Sequence, residues 1–197
     1  MRLEEWESWA VAQGQVLELI WNSPSHIACT FVLGVYMVQL LSDAYLLPLR
    51  PSHFLVVRDV YVDAIESIGA NLYTKEQIQS WASLALLPGL FDRPLEEGKG
   101  WVILVQEHVV AFALRYPSDR LALLYCRGHA SRHGYATLLI NQVELEAQKE
   151  GKQVLFAEAT LFSYPLLLRY GWTLTSRERI EISGVDFCQY RMQKKLF

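Results

Sequence analysis

Hydrophobic residues recur along the chain in two rhythms, and each change of rhythm marks an element. Leu3, Trp6, Ala10, Leu17 and Ile20 fall at roughly helical spacing with Glu residues between them, which predicts an N-terminal helix. Asn22-Ser23-Pro24-Ser25 breaks it. Ile27 to Leu41 is an apolar run interrupted by Gln39, shorter than the roughly 20 residues that cross a bilayer, so it predicts a buried element whose type stays open. From Ala44 the pattern becomes regular. Ala44–Leu49 reads as a strand. Phe54, Val57, Tyr61, Ile65 and Ile68 then form one face of a helix over Ser52–Ile68. Thr74-Lys75-Glu76-Gln77 is a capping box: the Thr74 hydroxyl can accept from the Gln77 amide while the Gln77 side chain reaches back, opening a second helix through Trp81.

Pro88 to Gly100 reads as turns. Trp101–Gln106 and Val109–Tyr116 are strands joined by a tight turn at Glu107-His108, and Arg120–Cys126 follows the turn Pro117-Ser118-Asp119 as a third strand. Gly134–Glu150 is an amphipathic helix stopped by Gly151, and Val154–Ala157 a short buried strand. Pro165–Tyr170 is a short helix ended by Gly171. Thr173–Ile182 and Val185–Met192 close as a hairpin at Ser183-Gly184. The predicted class is α/β, with a mixed central sheet of about six or seven strands and helices on both faces. The expected organisation is an extension over residues 1–43 and one domain over residues 44–197.

Of 197 residues, 52% are hydrophobic and 20% charged, enough for a substantial core and too apolar for general disorder. The net charge is −3 and no basic stripe is visible, so no nucleic-acid partner is expected. Cys29, Cys126 and Cys188 are odd in number, far apart and mostly in apolar surroundings. With the acidic start Met1-Arg2-Leu3-Glu4-Glu5, they lead us to expect a reduced, cytoplasmic protein with no membrane partner and no metal site.

The candidate chemistry lies between the third meander strand and the next helix. An apolar strand ends at Leu124-Tyr125-Cys126, the polar loop Arg127 to His133 follows, and a helix opens at Gly134-Tyr135-Ala136-Thr137. The first turn of a helix leaves backbone N–H groups without partners and carries the positive end of the dipole, a seat for an anion. Gly134 and Ala136 lack bulk, Arg132 and Arg127 can add charge, and Thr137 can add a donor. Neither a dinucleotide-binding glycine pattern nor a Gly-Lys-Ser/Thr phosphate loop is present.

The segment Ser131-Arg132-His133-Gly134-Tyr135-Ala136 resembles motif A of the GNAT superfamily of N-acetyltransferases, a strand, then Gln/Arg-x-x-Gly-x-Gly/Ala, then a helix. Ser131 departs from the usual Gln or Arg. The resemblance extends to Tyr73-Thr74-x-x-Gln77-x-x-x-Trp81, to Glu158-Ala159-Thr160 followed by Pro165 and Gly171-Trp172, and to Tyr190-x-Met192-x-Lys194-x-Leu196, covering about residues 44–196. It implies an acetyl-coenzyme A-dependent transferase acting on a primary amine of a small molecule or peptide by direct attack. The co-substrate would lie between Arg120–Cys126 and Val154–Ala157, held by Leu124, Tyr125, Cys126, Ser131, Arg132, His133, Gly134, Tyr135, Ala136 and Thr137. His129 and His133 would bind or solvate. Backbone N–H groups near Tyr125 and Cys126 would polarise the thioester. Glu158 is the first candidate for general base, the alternative being a structural carboxylate; Glu107 and His108 are read as exposed turn residues. Leu167 stands where the family often has a tyrosine acid, and Phe162 where Asn is frequent. Tyr164 and Tyr170 are therefore the candidate acids, with packing as their alternative role. These departures motivate a second reading, a catalytically silent GNAT-fold module that binds acyl-coenzyme A or a protein partner. Residues 1–43 are a candidate homodimer arm.

Overall fold

A computed structural model describes residues 29–32, 35–40, 44–69, 72–87 and 91–197, and of residues 29–40 the backbone pairing alone. The helix expected over Leu3–Ile20 lies outside the described residues. Nine strands form one sheet: β1 (Cys29–Val32), β2 (Val35–Leu40), β3 (Ala44–Pro48), β4 (Lys99–Val105), β5 (His108–Arg115), β6 (Arg120–Cys126), β7 (Val154–Ala159), β8 (Thr173–Ile182) and β9 (Val185–Lys195). Their order is β1-β2-β3-β4-β5-β6-β7-β9-β8. Seven of them, β3 to β9, come from the domain expected over residues 44–197. The open assignment within Ile27–Leu41 resolves as β1 and β2, which continue the sheet past β3. Every neighbouring pair is antiparallel except β6 and β7, which are joined through a helical crossover.

The helices are α1 (Phe54–Gly69), α2 (Lys75–Ser83), α3 (Asp92–Glu97), α4 (Tyr135–Lys149) and α5 (Ser163–Arg169). In α1, Val57, Val60, Tyr61, Ala64 and Ile65 are buried, a stripe at i, i+3, i+4, i+7 and i+8. It packs with α2 and α3 on one sheet face, against Val102, Phe112, Leu114 and Phe187. On the other face α4 buries Leu139, Ile140, Val143 and Ala147, and α5 buries Leu167, against Ile103, Ala111, Ala113, Leu155, Ala157 and Met192. Strand β5 lies between the two cores, so Val109 to Arg115 are all buried.

The capping box forms as expected: Gln77 N–H donates to Thr74 Oγ1 at 3.2 Å, and Thr74 N–H to Gln77 Oε1 at 3.0 Å. Two details differ from expectation. The turn-rich stretch 88–100 contains α3, where Leu95, beside Phe91, is buried in the α1–α2 core. The β4–β5 turn falls one residue earlier than expected, at Gln106-Glu107, both left-handed (φ 47° and 67°), as a two-residue hairpin requires. His108 is the first residue of β5.

Leu155 on β7 is fully buried. Leu155→Ala should cost about 2–5 kcal/mol of unfolding free energy, whereas Thr74→Ala, which removes one cap on an exposed helix end, should cost about 1 kcal/mol. Urea titration followed by circular dichroism checks both.

Candidate functional site

The site begins where β6 leaves β7. The two strands pair at Arg120–Phe156 and Leu121–Ala157 and no further. The register of β6 against β5 shifts at the same level: Arg115 opposes Leu121 but Leu114 opposes Leu123, leaving Ala122 as a bulge. Above it, Arg127 N–H donates to Val110 O at 2.8 Å, and Phe112 opposes Tyr125. Antiparallel alternation then turns the backbone groups of Tyr125 toward β5 and those of Leu124 and Cys126 toward the gap beside β7.

The loop after β6 is shaped tightly. Asp63 of α1 accepts from Gly128 N–H at 2.8 Å and lies 3.9 Å from Arg127. A Cβ at Gly128 would stand 2.3 Å from the Ser67 Cβ, so only glycine lets the loop approach α1 this closely. Arg132 (φ 67°) and Gly134 (φ 83°) are both left-handed, and Gly134 is the N-cap of α4. Leu138 N–H, bonded to Gly134 O at 3.2 Å, makes the first backbone bond of the helix. The N–H groups of Tyr135, Ala136 and Thr137 are therefore spare. Nothing lies within 4 Å of where a Gly134 Cβ would be, so the ground before the helix is open. Spare donors, a helix dipole, open space and Arg132, which has no ion-pair partner among the described residues, suit a diphosphate. Ser131 O accepts from His133 Nδ1 at 2.9 Å, and the His133 ring stacks on Tyr135 with centroids 5.8 Å apart. Arg127 does not join this seat. Its Nε–H donates to Val109 O at 3.1 Å, away from the α4 end, because Asp63 and β5 hold it.

The side chains of β6 contribute less chemistry than its backbone. The Tyr125 ring packs among Tyr61 (4.6 Å between centroids), Phe112 (5.8 Å) and Trp81 (6.4 Å). Burial drives its phenol and that of Tyr61 above the ordinary tyrosine range, so both stay neutral. Cys126 donates its thiol to Ala130 O at 3.3 Å; burial, with the Asp63 charge nearby, pushes it up to about 11.

Glu158 lies one residue past the last position of β7 that pairs with β6, where the gap opens. It is half-buried and ion-paired with Arg120, and Arg191 stands directly opposite on β9. Spacing could not reveal this Arg120 pairing, since the partners are 38 residues apart. Leu167 is 1% exposed, a core residue. Tyr164 stacks on Tyr190 with centroids 4.3 Å apart and its hydroxyl has no hydrogen-bond partner among the described residues. The Tyr170 hydroxyl lies elsewhere, 2.7 Å from Thr137 Oγ1. A cavity of about 280 Å³ lined by Val56, His108, Val109, Val110, Arg127 and His129 lies beside the loop, on the Arg127 side.

A family model described as an acetyltransferase (GNAT) domain matches residues 70–194. The chain belongs to the GNAT family of acetyltransferases, acetyl-coenzyme A-dependent acyltransferases. It is 22% identical over 146 residues to the uncharacterized N-acetyltransferase YafP of Escherichia coli, covering 74% of this chain and 92% of that one. A GCN5-related N-acetyltransferase structure from Rhodopseudomonas palustris shares 25% identity with a TM-score of 0.74, covering 80% of this chain and 98% of that one. The PaiA N-acetyltransferase of Thermoplasma acidophilum, solved with coenzyme A, shares the fold at 16% identity and a TM-score of 0.56, over 78% of this chain and 99% of that one. Among the described residues, no helix is long and apolar enough to cross a membrane.

Cys126 and Cys188 should differ in reactivity. Burial opposes ionisation of Cys188, but the Arg177 Nε–H donated to its sulfur at 2.9 Å, the Tyr190 hydroxyl and the charges of Arg177 and Arg179 outweigh it and lower its pKa. With Cys126 near 11, only about one molecule in a thousand carries that thiolate at pH 8. Peptide-resolved alkylation should label Cys188 well before Cys126.

Proposed function

We propose that this protein transfers the acetyl group of acetyl-coenzyme A to a primary amine of a small molecule or peptide by direct attack within a ternary complex. The parting of β6 from β7 above two paired residues, beside the open N-terminus of α4, carries this reading. The co-substrate supplies an activated acetyl thioester. The residues fit it: Arg132 and the spare N–H groups of Tyr135, Ala136 and Thr137 bind the diphosphate, with Ser131 and His133 bordering the seat. The backbone groups of Leu124 and Cys126 face the gap and can bind the pantetheine, and an N–H among them can polarise the thioester carbonyl. Tyr125 contributes through its backbone and the wall its ring builds.

The amine must lose a proton on attack. Glu158, at the opening of the gap, is the base in this reading, and Arg120 holds its carboxylate in place. The acid is Tyr164, whose hydroxyl is free to reach a departing thiolate, while Leu167 in the core supplies none. Burial of Leu167 and the Arg120–Glu158 pair are also what a silent coenzyme A-binding module would contain. Turnover decides between the two readings.

Purified protein incubated with acetyl-coenzyme A and a panel of amines should release free thiol with at least one of them. Glu158→Gln should lower kcat/KM by about 10²–10⁴ with coenzyme A affinity unchanged by calorimetry. Binding of coenzyme A without turnover on any amine would establish the silent module instead.

A further inference from the structure

Tyr170 is held at both ends. It is the C-cap of α5, where Gly171 N–H bonds Leu168 O at 3.0 Å and Trp172 N–H bonds Leu167 O at 3.1 Å, the paired bonds of a Schellman turn. Its carbonyl accepts from Lys194 Nζ. Lys194 also pairs with Glu144 of α4 at 3.1 Å, and Glu144 accepts from the Trp172 indole N–H at 2.8 Å. The end of α5 is thereby fastened to the flank of α4. The ring packs against the α4–α5 core, and the hydroxyl meets Thr137, in the first turn of α4.

Two hydroxyls carry two protons, and their mutual bond uses one. Neither has another hydrogen-bond partner among the described residues. Whichever of them donates, the acceptor of the bond keeps its own O–H. Side chains in a helix lean toward its N-terminus, so this remaining donor stands beside the spare N–H groups of the first turn. Tyr164 and Tyr170 lie at opposite ends of α5, about 9 Å apart along its axis at 1.5 Å per residue. A hydroxyl fixed at the anion end of the site is not at its thiol end.

We propose that Tyr170 is a diphosphate-binding residue: its hydroxyl accepts from Thr137, donates its own hydrogen to the diphosphate of the acyl donor and takes no part in proton transfer at the sulfur. This rests on reading the α4 N-terminus as the acyl-coenzyme A seat. The pair adds a directional donor where the loop has Ser131 in place of a long polar side chain.

The test is calorimetric titration of the whole chain with coenzyme A and with dephospho-coenzyme A, which keeps the diphosphate. Pantetheine, which lacks it, is followed by ligand-observed NMR. Tyr170→Phe should weaken the first two by roughly ten- to a hundredfold, as expected for a hydrogen bond to a charged group, and leave pantetheine unchanged. Thr137→Val, which removes the bond from its other end, should give a similar loss. The double variant should lose little more than either single one, and Thr137→Val decides the matter if Tyr170→Phe does not fold. Unchanged coenzyme A affinity in the variants overturns the proposal, as an acid or a mere strut would behave so. Equal weakening of pantetheine overturns it in favour of general loosening, and loss confined to coenzyme A overturns it in favour of the 3′-phosphate. If wild-type protein binds neither coenzyme A nor dephospho-coenzyme A, the acyl-donor reading itself fails and the proposal falls with it, an outcome distinct from equal binding by wild type and variant.

Discussion

Between β6 and β7 only Arg120 with Phe156 and Leu121 with Ala157 are joined. Parallel strands that stayed in register would bond to each other along their length and leave no backbone free. Here the bulge at Ala122 changes the phase of β6 just above the joined pairs, and the α4 crossover draws its end away toward Asp63 on α1. The consequence is a strand with one edge satisfied by β5 and the other open. An unsatisfied backbone edge inside a folded domain is costly unless something covers it. The open ground before the spare N–H groups at the head of α4 lies next along the chain from this edge.

Charge is distributed along the gap with the same logic. Glu158 marks where the gap opens, with Arg120 bonded to it and Arg191 opposite, while Arg191 in turn pairs with Glu178 at 2.9 Å. These pairs are partly exposed and worth at most about 1 kcal/mol each, so their weight is in positioning. A carboxylate fixed by a guanidinium has one orientation instead of several, at the level where the two strands part. The cationic groups at the other end, Arg132 and the α4 dipole, are separated from it by the length of β6. One end of the cleft is thus charge-balanced and the other carries uncompensated positive charge.

Much of this arrangement is legible in the residues themselves. The α1 stripe, the Thr74–Gln77 box, the stops at Gly151 and Gly171 and the three-stranded meander are local patterns, and local patterns survive folding. The open N-terminus of α4 is local too, since it needs only a strand end, small residues and a helix start. What sequence reading misses is set by distance or by competition. Short α3 carries too few turns to show a period, and it forms because Leu95 is buried in the α1–α2 core. Arg127 looks available in the loop, but Asp63, 64 residues earlier in the chain, holds it. The Tyr170–Thr137 and Arg120–Glu158 contacts join elements whose meeting depends on the whole sheet order. In the N-terminal apolar run Gly34 and the β-branched residues suit more than one element by pattern, and pairing fixes Cys29–Val32 and Val35–Leu40 as strands.

On the α1–α2 face, α2 is then tied to the β7–β9 side of the sheet by a few polar bonds. Tyr73, from the loop before α2, accepts from Leu161 N–H at 3.0 Å just past β7. Gln77 donates to Asp186 O at 2.7 Å and Ser80 to Ile182 O at 2.6 Å, so α2 is pinned to the β8–β9 hairpin. Trp81 packs its ring between Tyr73 and Phe187. The residues Tyr73, Thr74, Gln77 and Trp81 therefore share one task, which explains their spacing: they start α2, fasten it to the far side of the gap and fill the space beneath. A helix held this way fixes the height of one wall against the end of β7.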